Sequence, residues 1–304
     1  MREPTRDPLG LRAEAPLFDA FLRFAAATLH PFTIPGHKHR RDLLGPLVDG
    51  DIPLYAGLDT MKLSSGVLDQ AEELAARAWG ADVARFSVGG STHGNQALAL
   101  TVGRPGDRVV VGRTLHRSML LGLVLADLVP TWVTPSVDPR TGLPLAVSAD
   151  VVAGALADAP SAVAVLVTDP QYVGTYGDTG ALAATAHRHG VPLVVDAAWA
   201  GHFGFHPDLP PHALAAGADA LVISAHKALT ALNQGAIVLA RTERIDPARF
   251  AASVEATATT SPSGAVLASI DLARALLQTQ GAELLGATLD AVVAARARLD
   301  QVEG

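Results

Sequence analysis

Four polar clusters in this chain stand where apolar runs end, and each carries groups that can do chemistry. Gly89-Gly90-Ser91-Thr92-His93-Gly94-Asn95 follows the run Val-Ala-Arg-Phe-Ser-Val and precedes a helical pattern expected to begin near Asn95. Glycines let backbone N–H groups converge, a helix start favours an anion, and Ser and Thr hydroxyls complete a phosphate cradle. An ordinary Gly-rich turn with a Ser/Thr cap reads the same way. The Gly-Lys-Ser/Thr ending of a P-loop is absent, and so is the dinucleotide fingerprint. Asp196 ends the run Pro-Leu-Val-Val-Asp. A carboxylate at the end of a buried strand needs a cationic partner. A protonated pyridine nitrogen would serve, as would a structural ion pair, and a helix cap is the third reading. Ser224-Ala225-His226-Lys227 ends the run Ala-Leu-Val-Ile. Desolvation there would lower the pKa of Lys227 and free a nucleophilic amine, although a surface lysine at a loop start has the same local sequence. His116, in Arg-Thr-Leu-His-Arg-Ser after Arg-Val-Val-Val, could stack on a ring or shuttle a proton, or simply cap a helix.

Taken together, a phosphate cradle, a strand-end carboxylate and a strand-end lysine are the parts a pyridoxal-phosphate (PLP) site demands: phosphate anchor, pyridinium partner and Schiff-base amine.

The elements that must position these groups are legible in the apolar pattern. Short runs rich in Val, Ile and Leu cover Val83–Val88, Arg108–Val111, Ala162–Thr168, Pro192–Asp196, Ala220–Ser224 and Ala236–Ala240. They alternate with helix-length segments such as Gly180–Gly190. Runs without polar alternation predict strands buried on both faces, hence a three-layer α/β/α domain with a mostly parallel sheet. Ligands then belong at the carboxyl ends of the strands. Residues 15–29 read as a helix ending before His30-Pro31, and residues 31–66 as loop and turns. Beyond residue 265 two helical patterns are expected, the second from Ala282 to about Val302. The implied division is an N-terminal arm and helix over 1–66, a large PLP-binding domain over 67–280 and a C-terminal helix over 281–304.

Composition narrows the function classes. The 304 residues carry a net charge of −7, and the one short basic cluster, His-Lys-His-Arg-Arg ending at Arg41, is too small for a nucleic-acid face. With no cysteine, thiolate metal sites, disulfides and cysteine nucleophiles are excluded, and no metal site is expected. The N-terminus has no apolar signal core, and the greasiest stretch, Ser-Ala-Val-Ala-Val-Leu-Val-Thr, is strand-sized. A cytoplasmic protein without membrane contact is the default expectation.

The ordered motifs resemble those of the Orn/Lys/Arg decarboxylases, PLP enzymes of fold type I, the aspartate-aminotransferase-like class. Ile34–Lys38 (IPGHK), Val88–Ala97 (VGGSTHGNQA), the His116 segment, Thr168–Asp178, Val195–Pro207, Ile223–Leu229 and Thr259–Gly264 (TTSPSG) run in family order. The resemblance implies that Lys227 forms the internal aldimine and Asp196 pairs with the pyridine nitrogen. It implies that Gly90, Ser91, Thr92, Ser224 and His226 surround the phosphate, with His116 on one face of the ring and Ala198 on the other. The implied activity is decarboxylation of lysine, ornithine or arginine to its amine, within polyamine biosynthesis. An aminotransferase or aldolase on the same fold, or a non-catalytic PLP-binding relative, remains the alternative. A homodimer or larger assembly is implied, with residues 31–66 and the TTSPSG loop as candidates to reach across. Three positions depart from the common family pattern: Ala197, Trp199 and Gln171. Members also carry a further C-terminal domain, whereas this chain stops in the helix expected to lead to it.

Overall fold

The computed structural model describes residues 7, 9–27, 32, 34–52, 58 and 66–302. The helix expected over 15–29 ends earlier, at Ala26, where Ala27 turns extended; residues 1–6, 28–31 and 53–65 other than Leu58 lie outside the described residues.

In chain order the helices and strands are α1 (Pro16–Ala26), α2 (Arg41–Leu44), α3 (Val67–Ala78), β1 (Val83–Ser87), α4 (Gly90–Val102), β2 (Arg108–Gly112), α5 (Arg117–Leu125), β3 (Val129–Val133), α6 (Ala149–Asp158), β4 (Ala162–Thr168), α7 (Thr179–Arg188), β5 (Leu193–Asp196), β6 (Ala220–Ile223), α8 (Ala225–Ala228), β7 (Ala236–Ala240), α9 (Pro247–Thr257) and α10 (Gly264–Leu299). The sheet has seven strands in the order β1-β7-β6-β5-β4-β2-β3. Only β7 runs against its neighbours, pairing antiparallel with both β1 and β6. The carboxyl ends of the other six strands therefore share one edge with the start of β7.

Period-two alternation sorts the strand side chains onto two cores. Val110, Val165, Val167, Leu193, Val195, Leu221, Ile223, Ile237 and Leu239 join α1, α3, α6, α7 and α10 on one face. Val109, Val111, Leu166, Val194, Val222 and Val238 join α4, α5 and α9 on the other. The three-layer reading is thus realised, in the fold type I arrangement.

Two sequence expectations are corrected. β3 (Val-Pro-Thr-Trp-Val) was not among the expected strands. It pairs with β2 alone, and as an edge strand it tolerates Pro130, whose missing N–H would break an interior ladder. The two helices expected beyond residue 265 are one helix, α10, of 36 residues. Gly281 costs only about 1 kcal/mol against Ala inside a helix, and α10 stays packed through it: a Cβ there would meet Leu277 at 3.2 Å and Phe205 at 3.8 Å. The expected boundary at 280/281 falls inside this helix.

α10 also anchors α1. Asp271, fully buried, accepts the N–H groups of Leu17 and Phe18 at 2.9 and 3.4 Å. These donors open α1 and have no acceptor within it. Arg274, equally buried, pairs with Asp271 and donates to the Glu14 carbonyl. Burial pushes the Asp271 carboxyl up, against the pull of Arg274.

Candidate active site

The site lies along the edge where the parallel strands end. The β1–α4 turn brings Gly90 into the left-handed region at φ 68°, and the Gly90 N–H donates to the Gln234 carbonyl at 2.8 Å. Gly90 thus shapes the turn, and its N–H is already used. The first bond into α4 runs from the His93 N–H to the Gly89 carbonyl. Ser91 and Thr92 therefore occupy helix positions whose N–H groups have no intrahelical acceptor. Gly94 allows α4 to lie directly on the sheet: a Cβ there would stand 2.5 Å from Val222 Cγ2 and 3.0 Å from Val238 Cγ2.

A cavity of about 570 Å³ opens here, lined by Gly89, Gly90, Ser91, Thr92, His116, His226, Lys227, Asn233 and Gln234. Ser224, Asp196 and Ala198 are buried and outside its lining; Ser224 is tied to it through Ser91, and Asp196 feels the charges of His116 and Lys227. The Ser224 hydroxyl donates to Ser91 Oγ at 2.9 Å, joining β6 to α4. His226 Nδ1 lies 2.9 Å from the Gly235 carbonyl, which can only accept, so the proton sits on Nδ1. The described residues therefore bring the lysine, the histidines and the hydroxyls together, with the buried carboxylate outside the lining.

Asp196 accepts from Asn95 Nδ2 at 2.7 Å and from the Ala198 N–H at 3.2 Å. Both donors are neutral. Burial raises its pKa, opposed first by the Asn95 bond, then by the Ala198 N–H and by the charges of His116 and Lys227. A buried carboxylate held up in this way favours any ligand that brings a positive charge to it.

His116 is the N-cap of α5, its Nδ1 accepting from the Ser118 N–H at 3.3 Å and lying 2.8 Å from Ser118 Oγ. It caps a helix and lines the cavity at once. Gln171 ties the neighbouring loops together, donating to Thr114 Oγ1 at 2.9 Å and to the Thr168 carbonyl at 2.8 Å.

The expected desolvation of Lys227 is corrected: the residue is exposed, because α8 is a single turn at the cavity mouth. Its Nζ lies 4.5 Å from the Trp199 ring centroid, so a cation–π contact holds the amine. Asn95, Ser118, Asn233 and Gln234 had no assigned role in the sequence reading. The helix expected to begin near Asn95 begins at Gly90, and only this earlier start puts Asn95 one helical turn beyond Ser91, on its face. Asn233 and Gln234 carried no signal, since only the reversed direction of β7 brings them to this edge.

A second cavity, of about 610 Å³, lies beyond Gly89 and His93, between α3, β1 and α9. It contains no strand-end lysine.

The chain matches the family described as "Orn/Lys/Arg decarboxylase, major domain" over residues 15–304. It belongs to that family. An arginine decarboxylase of Bacillus subtilis (strain 168) is 33% identical over 299 residues, covering 96% of this chain and 61% of the relative. The chain thus spans about three fifths of that relative's length. Lysine decarboxylase A from Pseudomonas aeruginosa superposes with a TM-score of 0.82 at 23% identity, over 96% of this chain and 45% of that one. A structure titled SPT with PLP internal aldimine superposes with a TM-score of 0.55 at 18% identity, over 70% of this chain and 51% of the other. These structural likenesses show the fold. Among the described residues no helix is long and apolar enough to cross a membrane.

Proposed function

We propose that this decarboxylase-family chain holds PLP on Lys227 and removes CO2 from a basic amino acid, lysine, ornithine or arginine. The supporting observation is the shared cavity of Ser91, His116, His226 and Lys227, with the charges of His116 and Lys227 acting on the buried Asp196. The donor set fits the cofactor: an accessible amine for the aldehyde, hydroxyls and helix-start N–H groups for the phosphate, and a carboxylate whose raised pKa seeks a cation. The arginine decarboxylase likeness supports a basic substrate, and the PLP-bound SPT supports the cofactor on this fold.

When bound, the cofactor would supply an electron sink for loss of CO2 from Cα. Asp196 would favour a protonated ring nitrogen through its charge, and so stabilise developing negative charge. Ser91, Thr92, Ser224 and His226 hold the phosphate end, and Gly90 shapes the loop that carries it. His116 and Ala198 would hold the ring end of the cofactor between them. Lys227 Nζ returns a proton to Cα. The working form is a cytoplasmic homodimer or larger oligomer.

The test is borohydride reduction with PLP followed by peptide mapping, together with CO2 release from the three amino acids. A reduced adduct on Lys227 and CO2 release from one of them are expected. Lys227→Ala should lose both the adduct and the aldimine absorbance; covalent PLP retained in that variant refutes the assignment. A keto acid in place of CO2 and an amine would move the chain to the aminotransferase alternative.

A further inference from the structure

A chain of three side-chain hydrogen bonds runs from Asp196 to His116. Asn95 Nδ2 donates one hydrogen to Asp196 Oδ2 at 2.7 Å and the other to Ser118 Oγ at 2.9 Å. Ser118 Oγ lies 2.8 Å from His116 Nδ1. The polarity of this chain is set at its acidic end. A carboxylate can only accept, so Asn95 must turn its nitrogen toward Asp196. The same nitrogen then occupies an acceptor position on Ser118, and the one hydrogen of Ser118 is left for His116 Nδ1. The Ser118 N–H points at the same ring nitrogen, at 3.3 Å. An Nδ1 that accepts in this way carries no proton, and the ring proton sits on Nε2.

Asn95 and Ser118 are almost wholly buried, so the geometry is not shared with solvent. Asn95 Oδ1 is buried without a hydrogen-bond partner. Turning the amide over would give that oxygen a donor in Ser118, yet it would face two oxygens of like charge across Asp196. The unpartnered oxygen marks which end of the chain dictates the direction.

We infer that Asn95 and Ser118 are positioning residues through which Asp196 fixes His116 in the tautomer protonated at Nε2. Their relevance to catalysis rests on the reading of this cavity as the PLP site; the tautomer itself does not. His116 then presents an N–H at the ring nitrogen remote from Ser118. The state of the carboxylate is relayed to the histidine without contact between them.

The test is long-range proton–nitrogen NMR of the histidine rings in the full chain, with His116→Gln assigning the signal. In the native protein and in Ser118→Thr, which keeps the hydroxyl, His116 should show a protonated Nε2 and an unprotonated Nδ1. In Ser118→Ala and in Asp196→Asn, where the accepting-only end is lost, the two nitrogen signals should move toward each other as the tautomers mix. Asn95→Leu should do the same. Should that variant fail to fold, Ser118→Ala decides alone. A proton on Nδ1 in the native protein, or a His116 signal unchanged in folded Ser118→Ala, overturns the inference. Borohydride trapping of PLP on the same samples separates the two claims: no adduct on Lys227 removes the cofactor reading and leaves the tautomer result standing.

Discussion

Gly94→Ala adds a single methyl group at the contact that seats α4 on the sheet. The new Cβ would fall 2.5 Å from Val222 Cγ2, 3.0 Å from Val238 Cγ2 and 3.1 Å from Val222 Cβ. Carbon atoms pack at about 3.5–4.0 Å, so α4 and β6 must separate by about 1 Å. Val222 and Val238 are both fully buried in the central strands and have nowhere to yield. Overpacking of this kind costs about 1–3 kcal/mol. Alanine returns about 1 kcal/mol through its better helix propensity. The clash is short enough to place its cost at the upper end, leaving a net loss of about 2 kcal/mol. The functional effect should exceed the stability effect. Ser91, on α4, and Ser224, after β6, are joined at 2.9 Å across this contact, and an opening of about 1 Å takes the pair outside hydrogen-bonding range. Urea unfolding should show a lower midpoint with an unchanged slope, and PLP retention on gel filtration should fall. Val222→Ala in the same chain removes the methyl that meets the new Cβ most closely. The double variant should therefore lose less than the sum of the two single losses. A Gly94→Ala midpoint within about 0.5 kcal/mol of native, with cofactor retained, would show that α4 is not seated by this contact.

The remaining predictions concern charged side chains, buried and exposed. Asp271→Ala should cost about 3–5 kcal/mol by leaving the Arg274 guanidinium buried without its carboxylate, and replacing Arg274 by Met in the same chain should restore most of that loss in urea unfolding. Asp196 has a raised folded pKa, so its contribution to stability is full below the unfolded value of about 3.9 and is lost as pH rises through the folded pKa. Compared with Asp196→Asn, the cofactor-free native chain should therefore lose stability as pH rises above about 4, and the difference in urea midpoint between the two should narrow in acid. Trp199→Leu removes the ring beneath Lys227 Nζ and should cost no more than about 1 kcal/mol of stability at so exposed a site, while changing the rate at which Lys227 takes up PLP, followed by absorbance.

The sheet was legible wherever burial on both faces left runs of Val, Ile and Leu, and six strands were found on that signal. β3 escaped it because an edge strand carries Pro130 and half-exposed side chains. The last helix was divided before Ala282, whereas Gly281 lies inside one continuous helix, packed against Leu277 and Phe205. At the site, motif order brought out Ser91, His116, Asp196, Ser224, His226 and Lys227, since each follows a strand that ends at the ligand edge. What could not be read was the environment each would meet. Lys227 is open to solvent because α8 is only four residues long. Asn95 links Asp196 to Ser118, residues 78 positions apart, and proximity of that kind arises from strand order rather than local pattern.

The hydroxyl pair of Ser91 and Ser224 joins positions separated by 133 residues. One partner follows β1 at a border of the sheet and the other follows β6, whose only link to β1 is through β7. The pair is spanned by α4, which rests on Val222 of β6 and Val238 of β7 together, so its 2.9 Å spacing depends on β7 holding its place between β1 and β6. A change at either Val222 or Val238 should therefore reach the hydroxyl pair, although neither residue touches the solvent or the cavity.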